Sequence, residues 1–98
     1  MIRHIFTASI KQGVTEEKLD GLLNAYRSLS EKVPETIQLT VGKNLGWYDT
    51  KITMALVADF ENEEKWKNFM KNPDHLHIGE TAATFLELSS IVVAQIEV

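Results

Sequence analysis

The chain has 98 residues, 44% of them apolar and 24% charged, with a formal net charge of −4 and no cysteine. Those values fit one domain with a modest core and argue against disorder. They exclude disulfides, thiolate metal sites and cysteine nucleophiles, and with no basic cluster denser than Lys65, Lys67 and Lys71 they argue against nucleic acid as a partner.

Ile2 to Ile10 alternates in character and predicts a strand, with Ile2, His4, Phe6, Ala8 and Ile10 on one face and Ile5, Thr7 and Ser9 on the other. Lys11-Gln12-Gly13 ends it. Thr15 is placed to cap a helix whose first turn carries Glu16 and Glu17, where the helix dipole favours acids. Leu19, Leu22, Leu23, Tyr26 and Leu29 give that helix one apolar stripe, and Pro34 stops it. Ile37, Leu39 and Val41 alternate with Gln38 and Thr40 as a second strand. Lys43 to Asp49 reads as a long hairpin connection through Asn44 and Gly46. It carries Trp47 and Tyr48, adjacent aromatics suited to an interface or a pocket lip, of which alternation predicts that one is buried. Ile52 to Phe60 is the strongest strand signal, with Ile52, Met54, Leu56, Ala58 and Phe60 on one face.

Asn62 predicts a second helix cap, with Trp66, Phe69 and Met70 on the buried side and a stop at Asn72-Pro73. A further helical segment is expected from Gly79 to Leu88, and a last strand from Ile91 to Val98. The order β-α-β-β-α-β predicts a single α+β domain over residues 1–98, with a four-stranded antiparallel sheet and helices on one face. Phe6, Ile37, Leu39, Leu56 and Phe60 should lie on the covered face. Ile5, Thr7, Ala55 and Val57, joined by Val92, Ala94, Ile96 and Val98, make the opposite face too apolar for water and predict a homodimer through it. No apolar run is long enough to span a bilayer, and strand-like sequence begins directly after Met1, so no membrane association and a cytoplasmic location are expected.

The opening Met1-Ile2-Arg3-His4-Ile5, then Gly13-Val14-Thr15-Glu16-Glu17, then Trp66-Lys67-Asn68-Phe69-Met70-Lys71-Asn72-Pro73-Asp74-His75 resemble the stress-responsive dimeric α/β barrel family. The resemblance covers nearly the whole chain. It implies a ferredoxin-like monomer whose sheet packs on its mate to close a barrel, and an apolar pocket for a small organic ligand. Some members are similar to plant polyketide cyclases, and a wider group of similar barrels includes cofactor-free monooxygenases and haem-degrading enzymes. His4, Tyr26 and His75 fall where such a cyclase would place its acid/base groups. Phe69 stands where the cyclase-like pattern has tyrosine, Met54 where it has a further histidine, and Asn72 where histidine is frequent. The pocket implied is therefore greasy, with Phe6, Met54, Trp66 and Phe69 as its expected apolar contacts.

Histidine is the natural acid/base near neutral pH. His75, just after a helix stop, is expected in a segment that can move, as the acid/base at the pocket mouth; His4, on a strand, is its deeper partner, polarising a carbonyl. Each histidine also has a structural alternative, His4 as a hydrogen-bonded half-buried ring and His75 as a cap on helix carbonyls. His75, His77 and the remote His4 do not form a convergent ligand set, so no metal is expected, and nothing fixes a haem-sized cavity. No cofactor is expected. The functional readings are a small-ligand binding protein, a cyclase-like lyase and a cofactor-free monooxygenase of an aromatic substrate.

Overall fold

A computed structural model describes residues 1–98. The elements run β1 (Ile2–Ile10), α1 (Glu16–Lys32), β2 (Thr36–Lys43), β3 (Met54–Phe60), α2 (Glu63–Lys71), α3 (Pro73–Phe85) and β4 (Leu86–Glu97). The four strands form one antiparallel sheet in the order β2-β3-β1-β4, the ferredoxin-like arrangement. Connections that return each helix across the sheet leave all three helices on one face. No helix is long and apolar enough to cross a membrane.

Local chemistry accounts for the boundaries. Thr15 accepts from the Lys18 amide at the start of α1, and Asn62 accepts from the Lys65 amide at the start of α2. Gly13 has φ of 89°, a left-handed turn that a side chain would strain, between β1 and α1. The core lies between the helices and the sheet. Leu19, Leu22, Leu23, Tyr26 and Leu29 of α1 meet Met54, Leu56, Ala58 and Phe60 of β3 there, with Phe69, Ile78 and Ala82 closing the side.

Several sequence expectations are corrected. Ile37 is not on the covered face: a bulge between Thr36 and Gln38 puts it out of register, and it is 59% exposed. Leu39 and Val41, beyond the bulge, do face inward, opposite Ala58 and Leu56. Trp47 and Tyr48 are both fully in solvent, because the connection is a loop rather than a continued strand and alternation does not apply to it. The last helix begins at Pro73, not Gly79. Asn72 both ends α2, its amide donating to the Phe69 carbonyl, and caps α3, its side chain accepting from the Asp74 amide. Proline at the first helical position needs no amide hydrogen, so the residue that stops α2 starts α3.

The β1–β4 pairing carries a larger irregularity. Thr7 faces Val92 but Ser9 faces Glu87, so β4 bows outward over Leu88 to Ile91. The Ser90 hydroxyl accepts from the Ser9 amide and donates to the Glu87 carbonyl, which satisfies polar groups the bow would otherwise strand. Across the sheet from the helices, Ile5 sits between Val57 and Ala94, and Thr7 between Ala55 and Val92, with Val92 62% exposed. At one end of this face Arg3 forms a two-point ion pair with Asp59, at 2.8 and 3.1 Å.

Candidate active site between the helices and the sheet

A cavity of about 200 Å³ lies under α3, between α1 and the β1–β4 half of the sheet. Its polar side chains are His4 and Tyr26 on facing elements and His75 on α3; the remaining contacts are apolar or glycine. Small residues on α3 (Gly79, Ala82 and Ala83) make the room, and the outward bow of β4 brings Leu88 and Ile91 to its rim. The volume is below the roughly 300–1,000 Å³ of pockets for drug-sized ligands, so the occupant it fits is small.

His4 points to the helices, as strand alternation predicts, and is 3% exposed. Its Nδ1 accepts a hydrogen bond from Trp66 Nε1 at 3.1 Å, and the Gln95 side-chain nitrogen lies 3.1 Å from the same atom. Burial, and secondarily the nearby His75, lower its pKa to about 4. His75 occupies the first turn of α3 and is half-buried. Burial lowers its pKa, opposed by the Met70 backbone carbonyl at the end of α2, and its Nδ1 is buried without a hydrogen-bond partner. Tyr26 is buried on the inner stripe of α1 with its ring 6.3 Å from that of Phe6, and burial pushes its pKa up to about 12. At neutral pH the cavity therefore holds two neutral imidazoles and a protonated phenol, and no net charge.

Of the residues expected from sequence, His4, Phe6, Tyr26 and His75 are brought together around this space. Phe69 is fully buried behind it, wedged between the two imidazoles with ring centroids 6.2 Å from His4 and 4.4 Å from His75. Trp66 reaches His4 from the far side and does not line the cavity. Met54 lies elsewhere. It faces Ala8 in the core, four strand positions from Ala58, the residue opposite His4, a separation of about 13 Å at strand rise. His75 is also not in a loose segment; the helix that begins at Pro73 holds it. His77, two positions on, leaves α3 on the opposite side and borders a groove against α1, since residues two apart on a helix diverge.

Met70, Leu86, Leu88, Ile91, Val93 and Gln95 are site residues that the sequence did not single out. Gln95 had a signal: in the last strand it shares a face with Ile91 and Val93, and a lone amide among apolar neighbours marks a partner for another polar group.

The stress responsive A/B barrel domain matches residues 2–98. The chain belongs to that family. No protein of curated function matches it significantly in sequence. Among solved structures it is similar to a dimeric ferredoxin-like protein of unknown function from Thermobifida fusca, at 26% identity and a TM-score of 0.87 over 99% of this chain and 90% of that one. It is similar to the hydroxynitrile lyase of Passiflora edulis at 24% identity and a TM-score of 0.87, covering 99% of this chain and 92% of that one. An antibiotic biosynthesis monooxygenase shares the fold at 15% identity and a TM-score of 0.74, over 100% and 98% of the two chains. Proteins of this fold thus include a lyase, a monooxygenase and a dimeric protein of unknown function, and the fold alone selects none of these chemistries.

Proposed function

We propose that the chain is a homodimer, paired through the sheet face opposite the helices, and that each cavity is a cofactor-independent lyase site for a small neutral molecule bearing a hydroxyl or carbonyl oxygen. The observation that carries this reading is that two imidazoles and one phenol, all neutral at pH 7, open into a single apolar cavity. A neutral imidazole without a partner is a competent base, and a neutral donor beside it stabilises developing oxygen charge in a dry site more effectively than water does.

For a small cyanohydrin the step balances as follows. His75 takes the hydroxyl proton, the carbon–oxygen bond becomes a carbonyl, and the carbon–carbon bond to the nitrile breaks. The departing cyanide keeps the electron pair and is neutralised by the proton His75 received. His4 and Tyr26 hold the oxygen on which charge gathers. Cyclase-like closure of a β-keto chain needs the same base and the same donors.

The test is release of aldehyde from a panel of small aromatic and aliphatic cyanohydrins, for the parent protein and for H75A and H4A. The expected result is turnover in the parent that falls at least about 100-fold in H75A, as loss of a general base does, with a melting temperature close to the parent's. H4A should lower both turnover and stability, since it removes a packed group as well. If H75A lowers stability and leaves turnover intact, His75 is a cap on the Met70 carbonyl and the assignment is wrong. A second reading, binding without turnover, draws on Phe69: where a tyrosine would add a hydroxyl between the imidazoles, a plain ring fills the space. A ligand retained in native mass spectrometry, with no turnover in the panel, would decide for it. Oxygen uptake with aromatic quinols would decide instead for a monooxygenase.

A further inference from the structure

The contacts behind His4 determine what that residue can offer a ligand. Its Nδ1 faces the Trp66 indole N–H at 3.1 Å and the Gln95 amide nitrogen at 3.1 Å. An indole N–H only donates, so the Nδ1 it meets carries a lone pair and no hydrogen. In a neutral imidazole the hydrogen is then on Nε2. The Gln95 amide has two orientations available in principle, but only its NH₂ end is compatible with an Nδ1 already fixed as an acceptor. Trp66 comes from α2 and Gln95 from β4, where it sits directly opposite His4 in the ladder, so two separate elements impose the same state. Nε2 is the ring nitrogen that neither of them engages, and His4 lines the cavity.

We propose that Trp66 and Gln95 are positioning residues that lock His4 in its Nε2–H form, making it an obligatory hydrogen-bond donor and selecting ligands that bring a neutral acceptor, a carbonyl or nitrile, to that end of the cavity. The proposal rests on the cavity being the ligand site, as argued above, but its core statement is about a proton and is measurable without a ligand. It also separates the two histidines. His4 has its acceptor nitrogen occupied and can only give a hydrogen bond. His75, by contrast, has a buried Nδ1 without a hydrogen-bond partner.

The experiment is long-range proton–nitrogen correlation NMR of the imidazoles in uniformly ¹⁵N-labelled protein at pH 7, for the parent, Q95E and W66F/Q95E. The parent should show His4 wholly as the Nε2–H tautomer. In W66F/Q95E the indole donor is gone and a carboxylate faces Nδ1, so the hydrogen should move to Nδ1. Q95E alone, at an exposed position that tolerates change, should raise the Nδ1–H population part-way and serves if the double variant does not fold. Acetophenone and ethylbenzene, alike in shape and differing in the carbonyl, are then titrated into each protein. Acetophenone should bind the double variant about tenfold more weakly than the parent, near the upper range for one neutral hydrogen bond, with ethylbenzene unchanged. A parent spectrum showing Nδ1–H or a mixture, or a double variant still in the Nε2–H form, would overturn the lock. A tautomer that moves while acetophenone binding stays constant would overturn the selection. If neither probe binds the parent but the tautomer shifts as stated, the lock stands and the assignment of the cavity as a ligand site fails.

Discussion

At the scale of single residues, the buried histidines tie stability to pH. His4 has its pKa lowered to about 4 in the fold, while in the unfolded chain it titrates near 6.5. Between those values the unfolded state binds a proton that the folded state refuses, so stability falls as pH drops from about 6.5 toward 4 and is insensitive to this residue above 6.5. His75 is shifted in the same direction. Asp59 adds a separate loss in stronger acid. Its hydrogen bonds from Arg3 hold its pKa below the usual aspartate value, so the ion pair stabilises above about pH 4 and is lost as the carboxylate protonates. Thermal melts from pH 4 to 7.5 should therefore show a rising Tm up to about 6.5, and H4Q, which cannot titrate, should show a shallower rise. An equal slope in the two proteins would mean that His4 is solvated in the native state. That His4 and Tyr26 point inward was legible in the sequence, because polar groups on apolar faces stand out, whereas His75, expected just after a helix stop, entered through the family resemblance. Met54 and Phe69, expected as pocket contacts, lie in solid core, since period shows that a side chain points inward but not whether it meets a cavity.

At the scale of elements, α3 is the one on which the site depends and the one the sequence placed least well. Its apolar residues follow no strong stripe, because Gly79, Ala82 and Ala83 are small where the cavity requires space. Periodicity reads large side chains, so a helix that lines a cavity with small residues weakens its own signal. The start of α3 was hidden for a different reason: Asn72-Pro73 is an equally good stop and start, and only the side-chain bond from Asn72 to the Asp74 amide shows that both apply. Replacing Asn72 with alanine should cost about 1 kcal/mol, a fall of roughly 4–8 °C in Tm for a domain of this size. The same substitution frees the turn that carries His75, so turnover should drop by more than the loss of folded protein explains. Circular-dichroism melts alongside activity per folded molecule provide the check, and a proportional loss would show that the cap serves stability alone.

At the scale of the whole molecule, the two faces of the sheet differ in what covers them. Ile5, Thr7, Ala55, Val57, Val92, Ala94 and Ile96 form a continuous apolar strip on the side without helices, and the similar Thermobifida fusca structure is dimeric. Lysine at Val57 would place an unpaired charge at the centre of that strip, beside Ile5. V57K should run as a monomer, or as a dimer at least about tenfold weaker, in size-exclusion chromatography with light scattering. A dimer as tight as the parent's would put the interface elsewhere. The apolar strip itself was readable in advance, because β1 and β3 carry apolar residues at both parities of the strand repeat.

The irregularities of the sheet are confined to its margins. Ile37 bulges from β2 and Leu88 to Ile91 bow from β4, whereas β1 and β3 pair without interruption from Ile2–Phe60 to Ala8–Met54. The inner strands cannot absorb a change of length, because side chains alternate and one residue gained or lost turns every later one over. An insertion between His4 and Phe6 would carry either the imidazole or the phenyl ring to the face away from the helices and an aliphatic residue to the cavity. The residue count of β1 is therefore held by both of its faces at once, whereas the edge strands β2 and β4 carry the irregularities.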